Sequence, residues 1–384
     1  MAPSYRAMAP SYKGIASSPR VTRTEPEATP TTMPPRFDAP ALTTFATGLL
    51  DAAGMEHDKS VVIAEVLVEA DLMGHDTHGL NLLGPYLADI GKGAMAVRGE
   101  PRVVSDYPAA ITWDGSRLPG TWLVRKAIDV AVPRAKQYGT CTVSIGRSHH
   151  IACLAAYLKR VTDQGMVILL MTSAPENQSV APHGGRAGAI TPDPIAAGWP
   201  TTGDPVLIDV SMSITTNGMV GRLAKEGGRL PGRWLVDAAG APTDDPSVMS
   251  GEVKGALLPM GGIEYGHKGY ALGLMVEALT QGLSGHGRAD PIEGWTGEVF
   301  LQILAPDLFA GREAFIRQSG WVADYCRAVP PRPGVERVRL PGEAGLRRRA
   351  QALAEGVPLH PGIMPQLLPW AEKLGVVAPG ALPP

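Results

Sequence analysis

AITWDGSRLPGTWLVRKAIDVAVPRAKQYGTCTVSIGRSHHIACLAAYLKRVTDQGMVILLM, residues 110–171, is the stretch that decides the fold class. Three short apolar runs within it, 110–114 (AITWD), 141–145 (CTVSI) and 166–171 (MVILLM), read as buried strands. Between them, residues 122–137 and 151–163 carry apolar positions at helical spacing, the first interrupted by Pro133. On this reading His149 and His150 begin the second helix. Strand and helix in alternation predict an α/β fold.

The pattern extends in both directions. Downstream, VLIDV (206–210) and EVFLQIL (298–304) repeat the strand signature. A Gly/Pro-rich connection over 225–265 leads to a helix predicted from Gly269 to Leu283. Residues 308–326, 343–355 and 365–375 read as further helices. Upstream, Asp38 is placed to cap a helix whose apolar face is Leu42, Phe45, Ala46, Leu49 and Leu50, and Gly54 to end it. A second helix is predicted over 58–72, and a third pattern (Leu83, Tyr86, Leu87, Ile90) follows the polar run GHDTHG at 74–79.

Composition narrows the class. The 384 residues include 35 Lys and Arg against 37 Asp and Glu, a net charge of −2, so no basic surplus exists to neutralise nucleic-acid phosphates. Apolar residues make up 44% with no unbroken run long enough to span a membrane. The three cysteines, Cys141, Cys153 and Cys326, form no CxxC pair, which argues against a disulfide framework or a zinc ribbon and for a reducing, cytoplasmic setting. Forty-six glycines and 36 prolines exceed average usage of roughly 12% for the two together. Most of them fall between predicted elements and act as punctuation. Residues 1–37 are the exception: a near-duplicate (MAPSYRA, MAPSYKG) followed by Pro, Ser, Thr and Arg has little to bury and reads as a disordered tail. Its basic and hydroxyl residues faintly resemble a transit peptide, which Glu25, Glu27 and the prolines oppose.

The familiar cofactor and nucleophile motifs are missing. GKGAMA (91–96) is the one loose match to a dinucleotide fingerprint, and it follows a helical pattern where a strand is required, so it reads as a helix end and turn. There is no P-loop, no HExxH and no GxSxG. His75 and His78 have the i, i+3 spacing of a metal pair, but no third ligand follows from spacing, so no metal is assigned. What remains is a set of histidines in polar, Gly-flanked contexts: His75 and His78, His149 and His150, and His183 in APHGG. Histidine titrates near neutrality and suits proton transfer; each of these also has a plain structural reading as a cap or turn residue. Lys268, near the start of a helix, could meet an anion or simply be solvated. Asp209 and the serines of IDVSMS (208–213) could hold a ribose or phosphate, or cap a helix.

Six segments in fixed order nevertheless resemble the type-2 malate/L-lactate dehydrogenase family, the NAD(P)-dependent oxidoreductases without a Rossmann fingerprint. They are ADLMGHDTHGLNLLGPY (70–86), SHHIACLAAY (148–157), VAPHGGRAGAITPDPIA (180–196), LIDVSMSITTNGM (207–219), LLPMGGIEYGHKGYALGLMVE (257–277) and RLPGE (339–343). IDVSMS followed by NGM is most similar to the 2,3-diketo-L-gulonate reductase branch. The resemblance implies an L-sulfolactate/malate dehydrogenase-like fold in which a cofactor domain, expected over 116–296, is inserted in a partly helical substrate and dimerisation domain, 38–115 plus 297–384. It implies a homodimer, NAD or NADP as cofactor, and a small-molecule substrate: a 2-oxo/2-hydroxy acid such as malate, lactate or a diketogulonate-like acid.

By the same resemblance His78 is the proton donor, His150 a second active-site histidine and Thr77 the residue beside the first. Asn81, Tyr86 and His183 face substrate. Ile208, Asp209, Val210, Ser211, Met212, Ser213 and Ile214, with His267, Lys268, Gly342, Glu343 and Ala344, contact the cofactor. Leu82 stands where the family usually has a carboxylate-binding arginine, and Arg147 and Arg222 are the two alternatives. His183 is shared with the cyclic-imine reductase branch, which carries an acid where this chain has Met219. A cyclic-imine reductase and a non-catalytic nucleotide-binding relative are therefore alternative readings. The latter is motivated by Leu82, His149 and Ser173.

Overall fold

The computed structural model describes residues 34–383, and the predicted tail over residues 1–33 lies outside them. The last residues assigned to that tail belong to the fold. Phe37 is buried, and strand β1 (Arg36–Phe37) pairs antiparallel with β12 (Val357–Pro358).

Seven strands form the main sheet: β2 (Arg102–Tyr107), β3 (Ala110–Asp114), β4 (Thr140–Ser148), β5 (Val167–Ser173), β6 (Ile195–Trp199), β7 (Val206–Val210) and β11 (Gly297–Leu304). Their order is β2-β3-β4-β11-β5-β6-β7. Only β3 and β4 run parallel, joined by the crossover helix α4 (Gly120–Tyr138); the other neighbours are antiparallel. A second sheet of two-residue strands, β8 (Leu235–Val236), β9 (Pro242–Thr243) and β10 (Ala256–Leu257), lies in the stretch read from sequence as a bare connection.

Alternation along β11 shows how the sheet is covered. Val299, Leu301 and Ile303 join the large core with α4 and α5 (Ala155–Thr162). Phe300, pointing the opposite way, packs with Val276 of α7 (Gly262–Glu277) and Met171. The large core continues into a helical layer of α1 (Ala39–Ala52), α2 (His57–Met73), α3 (Leu83–Gly91) and α10 (Ile363–Leu374), where Leu42, Leu67, Leu83 and Leu367 meet. The predicted stripe of α1 is buried throughout, and Asp38 caps the helix by accepting from Ala41 N–H at 2.9 Å. Helices α6 (Asn217–Glu226), α8 (Arg312–Ala328) and α9 (Glu343–Glu355) complete the chain. Residues 34–383 fall in one compact unit, and segment 116–296 contributes both to the large core and to smaller clusters around Met212 and Leu258.

Three predicted helix starts move, among them that of the helix expected over 308–326, which begins at Arg312. The helix expected over 151–163 begins at Ala155, so His149 and His150 lie in the loop that follows β4. The helix expected from Gly269 begins at Gly262. Its glycines are contact points: a Cβ on Gly269 would sit 2.6–2.7 Å from the backbone of Met260 and Met212. Among the described residues, no helix is long and apolar enough to cross a membrane.

Candidate active site

The run GHDTHG is the turn that follows α2. Gly74 ends the helix in the left-handed region, and His78 N–H donates to His75 O at 2.9 Å. Asp71, on the buried side of α2, fixes the far end of the turn by accepting from Leu80 N–H at 2.7 Å. Gly79 must be glycine here, because a Cβ would lie 2.3–2.5 Å from the Asp71 carboxyl group. Burial pushes that carboxyl up to about 8, well above an ordinary aspartate, so it holds the turn as a neutral acid at pH 7.

His78 and His150 come together from opposite ends of this arrangement, with ring centroids 5.9 Å apart. Each is tethered at Nδ1. For His78 the tether is Thr77 Oγ1 at 2.8 Å. His150 is held from three sides. Its ring stacks on Trp295 (4.3 Å, 25°), Tyr86 Oη lies 2.9 Å from Nδ1, and Ala152 N–H donates to the same nitrogen at 3.3 Å. A backbone N–H can only donate, so Nδ1 of His150 is an acceptor and Nε2 carries the hydrogen.

Electrostatics separates the two rings. Burial lowers His78 below the ordinary imidazole value, but the nearby Asp209 and Asp76 carboxylates oppose the shift. His150 is held well below that value by burial first, then by the neighbouring His78 and His149. His150 is therefore a neutral hydrogen-bond donor at pH 7. His78 is the one of the two with carboxylates close enough to support its charged form.

The remaining residues singled out in the sequence each have a definite surrounding. Tyr86, expected to face substrate, is 1% exposed and spends its hydroxyl on His150, so it positions that ring. His149 is fully buried, with Nε2 3.1 Å from Asp89 Oδ2. His183 meets His267 edge-on at 5.6 Å. Asn81 lies in the 3-10 turn after His78, where its carbonyl accepts from Gln366 at 3.2 Å. Leu82 is part of the core. Arg147 pairs with Asp114 at 3.1 Å and lines a cavity of about 410 Å³ with Arg117, His286 and Thr296.

The three expected cofactor stretches converge on the end of β7. Leu207 N–H donates to Pro341 O at 3.1 Å, bringing Gly342, Glu343 and Ala344, at the start of α9, against β7. On the other side Met260 N–H donates to Met212 O at 2.7 Å, bringing the start of α7, with exposed His267 and Lys268, against the 208–214 segment. Ser211 and Ser213 hydroxyls donate along their own loop, to Ser213 O (3.0 Å) and Thr215 O (2.6 Å). Asp209 reaches back toward the histidines, accepting from Ala155 N–H at 2.8 Å and so capping α5. Two helix N-termini and a lysine beside one extended strand suit a dinucleotide pyrophosphate.

Residues 37–368 match the malate/L-lactate dehydrogenase family as a whole. The chain belongs to that family. It is 33% identical over 350 residues to the L-lactate dehydrogenase of Cupriavidus necator, an alignment covering 88% of this chain and 97% of that one. Its fold overlays malate dehydrogenase from Pyrococcus horikoshii with a TM-score of 0.80 at 26% identity, over 89% of this chain and 96% of the other. It also overlays the delta1-piperideine-2-carboxylate reductase of Pseudomonas syringae with a TM-score of 0.78 at 28% identity, over 88% and 99% of the two chains. Membership makes this dehydrogenase an oxidoreductase of hydroxy acids, acting at CH–OH. Within its site, Trp295, Asp71 and Asp89 are the supporting residues that sequence reasoning missed. An acid on the apolar face of α2, next to Ala70 and four residues after Leu67, was the one available signal.

Proposed function

We propose that this dehydrogenase transfers hydride reversibly between a nicotinamide cofactor, NAD or NADP, and C2 of a 2-oxo/2-hydroxy acid. The observation that carries the reading is the pair of histidines 5.9 Å apart, each tethered at Nδ1 and so presenting Nε2. The nicotinamide, when bound, supplies or accepts the hydride. The 208–214 segment, His267–Lys268 and Gly342–Glu343–Ala344 would hold the dinucleotide.

The protein's own part is proton management. His150, neutral and fixed, offers Nε2–H to the carbonyl oxygen and stabilises the charge that develops there. His78 donates the proton from Nε2 as the alkoxide forms, and as neutral imidazole takes it back during oxidation. With Nδ1–H of His78 donating to Thr77, the proton that moves is the one on Nε2. The exposed apolar residues of α7 (Leu274, Met275) and α8 (Trp321, Val322, Tyr325) support the homodimer, which a solution mass measurement tests.

The test is a panel of 2-oxo acids, with cyclic imine acids included because of the piperideine-2-carboxylate reductase likeness, each run with NADH and NADPH. His78→Ala should keep cofactor binding, read by titration, and lose about 10²–10⁴-fold in turnover. Turnover at the wild-type level in that variant would sink the assignment.

A further inference from the structure

A 2-oxo acid brings a carboxylate as well as a carbonyl, and neither histidine is suited to hold it. His150 is neutral, and His78 is committed to the proton. A cation is needed beside the His75–His78 turn. Among the described residues, the ion pair on that turn is between Arg222 and Asp76, Nη1 to Oδ2 at 3.2 Å. The helix carrying Arg222 leans directly on the catalytic turn: a Cβ on Gly218 would lie 3.5 Å from the Cβ of Thr77. Arg348 also touches the turn, at Gly74, and lines a cavity with Asp71, Gly74 and Asp76, but the ion pair of Asp76 goes to Arg222.

Arg222 has donors to spare. Nη1 meets one oxygen of Asp76, and Nη2 meets only the thioether of Met219, Sδ at 3.5 Å, a weak acceptor. A guanidinium has five donors in a planar fork, so most of its capacity remains. Its side chain is 29% exposed, enough to be reached and enough buried for a charge-assisted bond to count.

We infer that Arg222 is the specificity-determining residue of this site: it binds the substrate carboxylate, and Asp76, paired with it, competes for the guanidinium and tempers its charge. This rests on the 2-oxo/2-hydroxy acid reading above. Two consequences follow. Substrates whose carboxylate is masked as an amide lose the contact. Removing the charge of Asp76 strengthens the hold on a second carboxylate.

The experiment compares wild type, Arg222→Met, Arg222→Lys and Asp76→Asn on a 2-oxo acid and on its amide, with NADH or NADPH saturating. Arg222→Met should raise KM for the acid by about ten-fold or more while kcat changes less, and leave KM for the amide unmoved. Arg222→Lys should recover part of the loss, because charge is restored without the fork. Asp76→Asn, a second arm should Arg222→Met fold poorly, should lower KM for the acid, with kcat read separately because Asp76 also supports the charge on His78. A wild type active on the acid, with KM unmoved in both Arg222→Met and Asp76→Asn, overturns Arg222 and leaves the reaction class standing. A wild type inactive on every 2-oxo and 2-hydroxy acid overturns the reaction class, and the role of Arg222 with it.

Discussion

Tyr86→Phe isolates how His150 is held. The substitution deletes one oxygen from a side chain that is otherwise sealed in the core, so the aromatic contacts with His149 (5.3 Å) and Trp295 (5.7 Å) survive. What is lost is the hydroxyl 2.9 Å from Nδ1 of His150, together with its longer approach, 3.4 Å, to the His150 carbonyl. A buried hydrogen bond contributes about 0.5–1.5 kcal/mol net, and an orphaned acceptor costs about 1–3 kcal/mol. Nδ1 keeps Ala152 N–H at 3.3 Å, so the orphan penalty does not apply in full. About 1–1.4 kcal/mol of lost orientation corresponds to a drop in kcat of roughly five- to ten-fold. Steady-state rates at saturating cofactor measure it, with a cofactor titration and a thermal melt alongside. Cofactor affinity should be unchanged, since among the described residues the Tyr86 hydroxyl bonds to His150 alone. A kcat within about two-fold of wild type, or a lowered melt with kcat intact, would refute the claim that Tyr86 positions the catalytic imidazole.

Much of the fold was legible because period and punctuation agreed. The stripe of α1 and the runs at 110–114, 141–145 and 298–304 bury the residues that the pattern picked. The missed elements lacked a signal for physical reasons. β2 is an exposed edge strand, RVVSDY, with no buried face to alternate against. β6 reads IAAGW, because α5 packs so close that a Cβ on Gly198 would lie 3.0–3.2 Å from Thr162 and Leu158; smallness there is a packing requirement that resembles a loop. Helix α6 buries only Val220, so it shows no stripe. In the site, polar flanks marked the histidines but not their partners. Trp295 reaches His150 only because β11 inserts between β4 and β5, a long-range pairing that no local pattern encodes. Histidine count likewise could not pair His78 with His150, since the turn after α2 and the loop after β4 meet only through tertiary packing.

Two further predictions concern protons. Reduction needs His78 charged, so its kcat/KM should fall as pH rises through a break below 6.5, while oxidation gains over the same range. Asp209→Asn removes the carboxylate that opposes the lowering and should move the break to still lower pH; an unmoved or raised break in a pH–rate profile contradicts this. Asp71 yields a stability prediction. Its carboxyl, pushed up to about 8, is protonated in the folded protein at neutral pH but ionised in the unfolded chain, whose aspartates titrate near 3.9. Between those limits the native state holds the extra proton, so this group's contribution falls as pH rises from about 4 to about 8. Asparagine has the same shape and no charge, and its oxygen can still accept from Leu80 N–H. Asp71→Asn should therefore flatten the dependence: between about pH 5 and pH 8, urea denaturation should show the wild type losing more stability than the variant. Equal losses in the two proteins would mean that Asp71 is ionised in the fold, and the neutral anchor for the His78 turn would have to be abandoned.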